Sequence, residues 1–251
     1  MLPPPAHPLL AALVARAGER AAAHRAPRVG IVYPCDAFAL VAAARVLEAG
    51  IATPVLIGPR AGIARAAGAA AVELQRFEIV DTGAAPAEAA LHATTLVRAG
   101  ALQALMKGSL HTDELMAAIV ERATGLRGAT RISHAFLFDL PRYHKLLALA
   151  DCVVNITPHL PAKRDILTNA IRLLQDLGIA QPKVAIVAAV ETVNPAIPVP
   201  WMRARWSNSR AGGSGPARSS MARSASTLRS RPRRRASSRS PRPWPATPTC
   251  C

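Results

Sequence analysis

The stretch RVGIVYPCDAFALVAAARVLEAGIATPVLIG, residues 28–58, carries the pattern that decides the fold. Two short apolar runs, at 28–34 and 53–58, flank an alanine-rich segment that starts at Asp36 and ends at Gly50. Short apolar runs are typical of strands buried on both faces, and the segment between them has the composition of a helix. Asp36 is a suitable N-cap, and Gly50 is a suitable residue just after the helix end. The stretch therefore predicts a strand–helix–strand unit with parallel strands.

The same alternation runs from residue 8 to about residue 190. Further helices are predicted within 7–24, 59–68, 85–100, 111–125 and 162–178. Further strands are predicted within 77–81, 101–106, 131–140, 151–156 and 183–190. We therefore expect an α/β fold with three α/β/α layers, in which helices cover both faces of a mostly parallel sheet. In such folds ligands bind at the carboxyl ends of the strands.

The net charge of +16 is unevenly distributed along the 251 residues. Residues 201–251 contain twelve Arg, no Lys and no acidic residue, so residues 1–200 hold the other 19 basic residues against all 15 acidic ones. The body of the chain thus has the charge of an ordinary domain. A polyanion-binding protein that acts through the arginine-rich tail is a less favoured alternative, and we expect no specific nucleic-acid partner.

The four cysteines show no C-x-x-C spacing, so we expect neither a zinc site nor a disulfide framework. The N-terminal segment lacks the basic start of a secretory signal, and no uncharged apolar run reaches the ~18 residues of a membrane span. These features predict a cytoplasmic protein with no membrane partner.

Polar residues gather in the loop after the predicted strand at 101–106. Lys107, Gly108 and Ser109 bring an ammonium, a turn and a hydroxyl to the start of the next helix, where Ser109 or Thr112 is a candidate cap. Such a helix start suits a phosphate or another oxyanion. The alternative is a capped turn with a solvated lysine.

A second set of polar residues lies at the edges of later predicted strands. Arg131 can bind phosphate through its planar guanidinium, although a solvated arginine is the alternative. Ser133 and His134 are predicted on opposite faces of one strand, which argues against a Ser–His nucleophile pair. Three further residues follow apolar strands and fit either a ligand cleft or simple turns: Asn155, Glu191 and Asn194.

Three segments give the chain a family resemblance: LMKGSLHTDELM (105–116), RISHAFLFDLPRYHKLLALADCVVNITPHLPAKRDILTNAI (131–171) and GIAQPKVAIVAAVETVNPAIP (178–198). Over roughly residues 8–200 the chain resembles the phosphate acetyl/butyryltransferase family, and the YHK at 143–145 looks closer to its acetyl-type members. A butyryl group remains an alternative substrate, because spacing does not identify the residues that line the acyl pocket. The resemblance implies a fold similar to isocitrate and isopropylmalate dehydrogenases, and a homodimer. It also implies acyl transfer between coenzyme A and inorganic phosphate, with no metal or redox cofactor. A decarboxylating dehydrogenase on the same scaffold is disfavoured, because the chain shows no aspartate cluster for a metal.

The resemblance implies roles for the polar residues as well. Lys107, Ser109 and Arg131 would hold phosphate and acyl phosphate, with Gly108 and Ser133 beside them. The other implied residues, which would shape the cleft, are Asn155, Glu191 and Asn194. The family's implied base is an aspartate in a later motif, DGPLAFDNA, which does not occur in this chain. The catalytic residue is therefore unassigned.

Residues 201–251 have no hydrophobic period and read as a disordered tail rich in Arg, Ser and Pro. Trp201 and Met202 have single codons, and TGGATG read one nucleotide earlier gives a codon ending in TG, such as Leu, and then an Asp codon. In the same shifted frame residues 220–224 can spell Asp-Gly-Pro-Leu. We therefore expect a frameshift near Val199 or Pro200 and an incomplete acyltransferase region at 8–200. Such a chain would lack the last part of its sheet and would have low stability and little or no activity.

Overall fold

The computed structural model describes residues 7–187. The predictions that concern Glu191, Asn194 and the tail at 201–251 lie outside the described residues, as does the boundary at residue 200. They stay predictions.

Within 7–187 the helices are α1 (Pro8–Ala23), α2 (Ala37–Glu48), α3 (Arg60–Ala70), α4 (Pro86–Arg98), α5 (Thr112–Val120) and α6 (Leu160–Asp176). The strands are β1 (Arg28–Val32), β2 (Thr53–Gly58), β3 (Glu78–Asp81), β4 (Ala104–Lys107), β5 (Phe136–Phe138) and β6 (Leu147–Leu149). A 3-10 turn at Leu74–Arg76 precedes β3. None of the helices described here is long and apolar enough to cross a membrane.

Four of the strands form one parallel sheet in the order β3-β2-β1-β4. Ile31 at its centre is in register with Leu56 of β2 and Met106 of β4. The chain steps from β1 to β2 to β3 in one direction and then crosses to the other side of β1 for β4. The order therefore reverses between β1 and β4, and their carboxyl ends flank the crevice where α/β sheets bind ligands.

Hydrophobic clusters cover both faces of this sheet. Because successive strand residues point to opposite faces, Ile31 packs towards Leu40 of α2 and Ile63 of α3, while Val32 packs towards Ala89 of α4 and Leu115 of α5. The three-layer α/β/α prediction is confirmed for this half of the chain. The Asp36 cap is confirmed too, since its carboxylate accepts a hydrogen bond from the Ala39 N–H at 2.7 Å.

The strands predicted after residue 130 are largely wrong. Only Phe136–Phe138 of the predicted strand at 131–140 is extended in a ladder, and it pairs antiparallel with Leu147–Leu149. Residues 151–156 form a loop because the Asp151 carboxylate accepts hydrogen bonds from the N–H groups of Val153 and Val154, both at 2.9 Å. The described part of the last predicted strand, 183–187, has no regular structure.

The first helix is fastened to the later part of the chain. Asp139 is buried, and its carboxylate accepts hydrogen bonds from the N–H groups of Leu9 and Leu10 at 2.8 and 3.2 Å. Arg16 of the same helix donates a hydrogen bond to the carbonyl of Leu177, just after α6. The β5–β6 hairpin and α6 are thus both tied to α1.

Candidate functional site

The crevice between β1 and β4 is formed by the loops that follow these strands. The Gly108 N–H donates to the Val32 carbonyl at 2.8 Å, and the Ser109 N–H donates to the Tyr33 carbonyl at 2.9 Å. The two loops therefore continue the pairing of β1 with β4 beyond the strand ends. This pairing fixes where residues 107–109 lie relative to the sheet.

Gly108 is required by close approach to the backbone of β1. A Cβ at this position would lie 2.5 Å from the Val32 carbonyl oxygen and 2.6 Å from the Tyr33 carbonyl oxygen. These atoms belong to the backbone and cannot move away as a flexible side chain would. The predicted turn at Gly108 is present, and steric exclusion explains why it is a glycine.

Ser109 joins the two loops and does not cap α5. Its hydroxyl donates to the Tyr33 carbonyl at 2.9 Å and accepts a hydrogen bond from the Cys35 N–H at 3.1 Å. The N-cap position of α5 belongs to His111, whose own N–H donates to the Glu114 carboxylate at 2.8 Å. The prediction that Ser109 or Thr112 caps this helix is therefore wrong. Ser109 has its partner 76 residues earlier in the chain, which no local pattern reveals.

Lys107 is the last residue of β4, not part of the following loop as predicted, and it supplies a positive charge beside the turn. The residue is exposed, and its Nζ donates to the Leu110 carbonyl at 2.9 Å and lies 3.4 Å from the Gly108 carbonyl. The first turn of α5 carries Asp113 and Glu114, so the helix start is less attractive to an anion than predicted. An ammonium has three N–H donors, and Lys107 is thus the group that can bind an oxyanion here.

Cys35 lies in the same crevice, next to Ser109. Burial raises the pKa of the Cys35 thiol, Arg65 opposes this shift, and Asp36 adds to it. A thiol with a raised pKa stays protonated at neutral pH and is a poor nucleophile. The crevice therefore offers a cation, hydrogen-bonding groups and a thiol that is mostly protonated at neutral pH.

A second group of predicted residues lines a cleft of about 970 Å³. Its walls are the later part of α5, the segment 126–135, the loop 150–155 and α6. Arg131, Ser133 and Asn155 all lie on these walls. The volume is that of a pocket for a small molecule or a cofactor.

The segment that carries Arg131 and Ser133 is held by α6. The Arg131 N–H donates to the Asp165 carboxylate at 3.3 Å, and the Asn169 amide donates to the Arg131 carbonyl at 2.8 Å and to the Ser133 hydroxyl at 2.9 Å. These bonds use the backbone of Arg131, and the residue itself is exposed. The sequence interpretation missed Asn169 because its partners lie 36 and 38 residues away.

Asn155 contributes to the shape of the cleft through internal hydrogen bonds. Its side-chain amide donates to the Ile132 carbonyl at 3.1 Å and to the Asp151 carboxylate at 2.6 Å. Both amide hydrogens are therefore used within the wall, and only its carbonyl oxygen is left for a ligand. That Asn155 shapes a substrate cleft stays a prediction.

Asp151 organises this wall and was missed by the sequence interpretation. Burial acts to raise the pKa of its carboxyl, but hydrogen bonds from Asn155 and from the N–H groups of Val153, Val154 and His134 outweigh burial and lower that pKa. An aspartate that opens a turn of this kind accepts N–H groups two and three residues later. This turn preference of aspartate is the sequence signal that could have identified Asp151.

His134 also lines the cleft, beside Ser133. Its Nδ1 is buried and has no hydrogen-bond partner among the residues described, and its ring packs edge-on against Phe136 with 4.2 Å between the ring centroids. Neither Ser133 nor His134 is in a strand, so the predicted opposite-face argument does not apply. The Ser133 hydroxyl instead accepts a hydrogen bond from Asn169.

The residues that line the cleft do not include Lys107, Gly108 or Ser109. The 107–109 turn precedes α5, whereas the cleft is lined by Met116, Ile119 and Val120 of that helix. The protein thus offers two polar positions, the turn at 107–109 and the cleft, which share no lining residue.

The amino-acid sequence is similar to known acyltransferases. Residues 86–199 match the model of the family described as "Phosphate acetyl/butaryl transferase". The chain is 48% identical over 179 residues to the phosphate acetyltransferase of Rhizobium meliloti, covering 71% of this chain and 56% of that protein. It is 40% identical over 180 residues to the phosphate acetyltransferase of Rickettsia felis, covering 71% and 51%. It is 34% identical over 149 residues to the phosphate butyryltransferase of Clostridium acetobutylicum, covering 59% and 49%.

The fold is similar to solved phosphotransacylase structures. A branched-chain phosphotransacylase from Enterococcus faecalis V583 superposes with a TM-score of 0.62 at 23% identity, covering 74% of this chain and 65% of that one. A phosphotransacetylase from Streptococcus pyogenes gives a TM-score of 0.62 at 17% identity with the same coverage. Because both identities are below 25%, these similarities show the fold alone.

The chain spans about half the length of the curated relatives it matches. Within that span, the fold, the family match and the identities of 48% and 40% agree. The chain belongs to the phosphate acetyl/butyryltransferase family.

Proposed function

We propose that this protein transfers a short acyl group between coenzyme A and inorganic phosphate, forming acyl phosphate. The observation that supports the proposal is that Lys107 ends β4, beside the carboxyl end of β1, in a chain of this family. Phosphate and acyl phosphate are oxyanions, and a lysine beside a tightly held turn suits them.

The transfer is reversible, and in the direction that consumes acyl phosphate a thiolate displaces phosphate. The coenzyme A thiol loses its proton, its sulfur forms a bond to the acyl carbon, and the bond between that carbon and the phosphate oxygen breaks. Lys107 would neutralise the phosphate as it leaves, which stabilises the charge that develops there. The group that takes the thiol proton is unassigned.

Two separate polar positions suit a reaction with two phosphate-bearing substrates. We assign Lys107, with Gly108 and Ser109 as its support, to phosphate or acyl phosphate. Arg131 and Ser133 would hold phosphate groups in the cleft, and Asn155 would keep its shape. Glu191 and Asn194, which the sequence predicts to shape the cleft, lie outside the described residues.

We propose acetyl as the preferred acyl group. The identity to the Rhizobium meliloti phosphate acetyltransferase is 48%, against 34% for the Clostridium acetobutylicum phosphate butyryltransferase. The proposal also includes a cytoplasmic location, a homodimer, and coenzyme A as a substrate with no metal or redox cofactor. It further includes the frameshift near Val199 or Pro200, which would leave this chain with low turnover.

The test follows both ligand binding and turnover, because low turnover is expected. Purified protein is titrated with inorganic phosphate and with coenzyme A by calorimetry, and thioester formation is followed with acetyl phosphate and with butyryl phosphate. Lys107→Met is expected to weaken phosphate binding about tenfold or more, since it removes a charged hydrogen-bond donor.

Lys183→Met, which removes an exposed lysine outside both polar positions, is the matched control and should bind phosphate like the unaltered chain. Phosphate binding that is equal in the two variants would contradict the role of Lys107. A chain that binds neither ligand saturably and forms no thioester would contradict the proposed function.

A further inference from the structure

Tyr33, the first residue after β1, has an unusual backbone conformation. Its φ is +55°, and Ala71 is the other non-glycine residue with positive φ in the part of the chain that the structure describes. Bulky side chains rarely adopt this left-handed region, because the Cβ crowds the backbone. Such residues persist where the surrounding contacts determine them, and they are common at functional sites.

The backbone of Tyr33 connects β1 to the turn that carries Lys107. Its carbonyl accepts hydrogen bonds from the Cys35 N–H, the Ser109 N–H and the Ser109 hydroxyl, each at 2.9 Å. Its own N–H donates to the Ile57 carbonyl of β2 at 2.7 Å. A carbonyl has two lone pairs, so three converging donors hold this group closely in place.

The side chain of Tyr33 extends the connection to a third loop. The phenolic hydroxyl donates to the Ala84 carbonyl, in the connection from β3 to α4, at 3.1 Å. The Tyr33 Cα lies 3.3 Å from the position that a Cβ on Gly58 would occupy. Tyr33 thus contacts the carboxyl end of β2 and the loops after β3 and β4, as well as following β1 itself.

We propose that Tyr33 is a positioning residue for the phosphate site at Lys107. It acts through Ser109 and the backbone of the turn, and its hydroxyl fixes the ring against the β3–α4 connection. This inference rests on the proposed function, because it assigns a role within that same site. Lys107 itself is exposed, and within residues 7–187 its ammonium donates to carbonyls of the loop that follows it, so its orientation depends on how firmly the turn is held.

Tyr33→Phe removes only the hydroxyl, and Tyr143→Phe is the matched control. The chain has two tyrosines, and Tyr143 lies in the β5–β6 connection, away from the crevice. Titration with inorganic phosphate is expected to show about fivefold weaker binding for Tyr33→Phe, which corresponds to the loss of one hydrogen bond. Coenzyme A affinity and the urea midpoint should stay close to those of the unaltered chain, and Tyr143→Phe should change none of the three.

Ser109→Ala provides a second arm, because it removes the hydroxyl that Tyr33 binds. If both residues act through one turn, the Tyr33→Phe/Ser109→Ala double variant should lose less phosphate affinity than the product of the two single losses. Independent, multiplicative losses would count against a shared element.

Three results would overturn the inference, and they are distinguishable from one another. Phosphate affinity that is unchanged in Tyr33→Phe, with normal binding by the unaltered chain, removes the role of Tyr33 and leaves the proposed function intact. A parallel fall in phosphate affinity, coenzyme A affinity and urea midpoint shows a general structural role. An unaltered chain that binds no phosphate defeats the proposed function and the inference together.

Discussion

At the scale of single residues, Gly108 is the position where the crevice tolerates least change. A Cβ there would lie 2.5 Å from the Val32 carbonyl oxygen, and a backbone carbonyl within a parallel ladder cannot shift without breaking its hydrogen bonds. Gly108→Ala should therefore lower the free energy of unfolding by about 1–3 kcal/mol and abolish phosphate binding. Urea denaturation and phosphate titration measure the two effects.

Gly128→Ala serves as the control for Gly108→Ala, because a Cβ at Gly128 meets no atom within 4 Å. Its stability should stay within about 0.5 kcal/mol of the unaltered chain. A Gly108→Ala variant as stable as Gly128→Ala would contradict the steric exclusion of a Cβ at Gly108.

Asp151 gives the cleft wall a dependence on pH. The pKa of its carboxyl is lowered in the folded state by Asn155 and by three backbone N–H groups, despite the opposing effect of burial. The ionised carboxylate thus stabilises the fold above the unfolded pKa of about 3.9, and this contribution is lost as the pH falls through the lower, folded value. Asp151→Asn should therefore flatten the fall in stability below about pH 4.

The measurement is the urea midpoint at several pH values for Asp151→Asn and for Asp176→Asn, which alters an exposed carboxylate at the end of α6. The Asp176 variant should keep the acid dependence of the unaltered chain. Identical acid profiles for all three proteins would show that Asp151 does not contribute.

A residue's hydrogen-bond partner could be predicted from the sequence when the two residues lie close together along the chain. Asp36 and Ala39 are three residues apart, and the cap was predictable from local composition. Gly50 has a φ of +64° just after α2, as the pattern of a helix end indicates. Ser109 and Tyr33 are 76 residues apart, and their contact arises only when β4 pairs with β1. The periodic pattern of apolar residues does not indicate which distant residues will form such a contact.

At the scale of elements, the N-terminus of α1 is capped by a residue of the β5–β6 region. Asp139 accepts the N–H groups of Leu9 and Leu10, which lack partners within the helix. Asp139→Ala should lower the free energy of unfolding by about 1–2 kcal/mol. It should also speed hydrogen exchange in α1 more than in β1 and β2, because the sheet core does not depend on this contact.

Asp139→Asn keeps one acceptor oxygen and should show a smaller effect than Asp139→Ala. Hydrogen exchange followed by mass spectrometry resolves α1 from the sheet. Protection of α1 that is the same in both variants as in the unaltered chain would contradict the capping role.

The elements themselves were predictable where strands are buried on both faces. β1, β2 and β4 read as short apolar runs because helices cover both sides of the sheet, and the sequence placed them correctly. The β5–β6 hairpin did not follow this rule. Phe136 is paired with Leu149 in this hairpin, and the two residues are 45% and 43% exposed. The apolar residues of this segment therefore belong to an exposed antiparallel hairpin, although their composition resembles that of a buried parallel strand.

At the scale of the whole molecule, apolar exposure is concentrated after residue 130. Ile156 is 92% exposed and Val153 is 57% exposed, whereas the strands of the parallel sheet bury their aliphatic side chains. Residues 201–251 contain one Leu and no Val or Ile, so they bring little aliphatic surface that could pack against these groups. The proposed frameshift would explain this composition, because codons for these residues, read one base earlier, can encode aliphatic and acidic residues.

Sequencing the gene across codons 195–225 tests the frameshift directly. We expect one base lost or two gained near codons 199–200, relative to a frame that continues the family pattern through Leu-Asp and Asp-Gly-Pro-Leu. A protein expressed from the restored frame should unfold at a higher urea concentration and form acetyl-CoA faster than the present chain, because it gains apolar surface for the core and the implied base. The matched control is the present chain ending at Pro200, which should be no more active than the 251-residue form. Independent reads that confirm the present frame, or a restored protein no more stable and no more active, would show that the tail belongs to this protein as written.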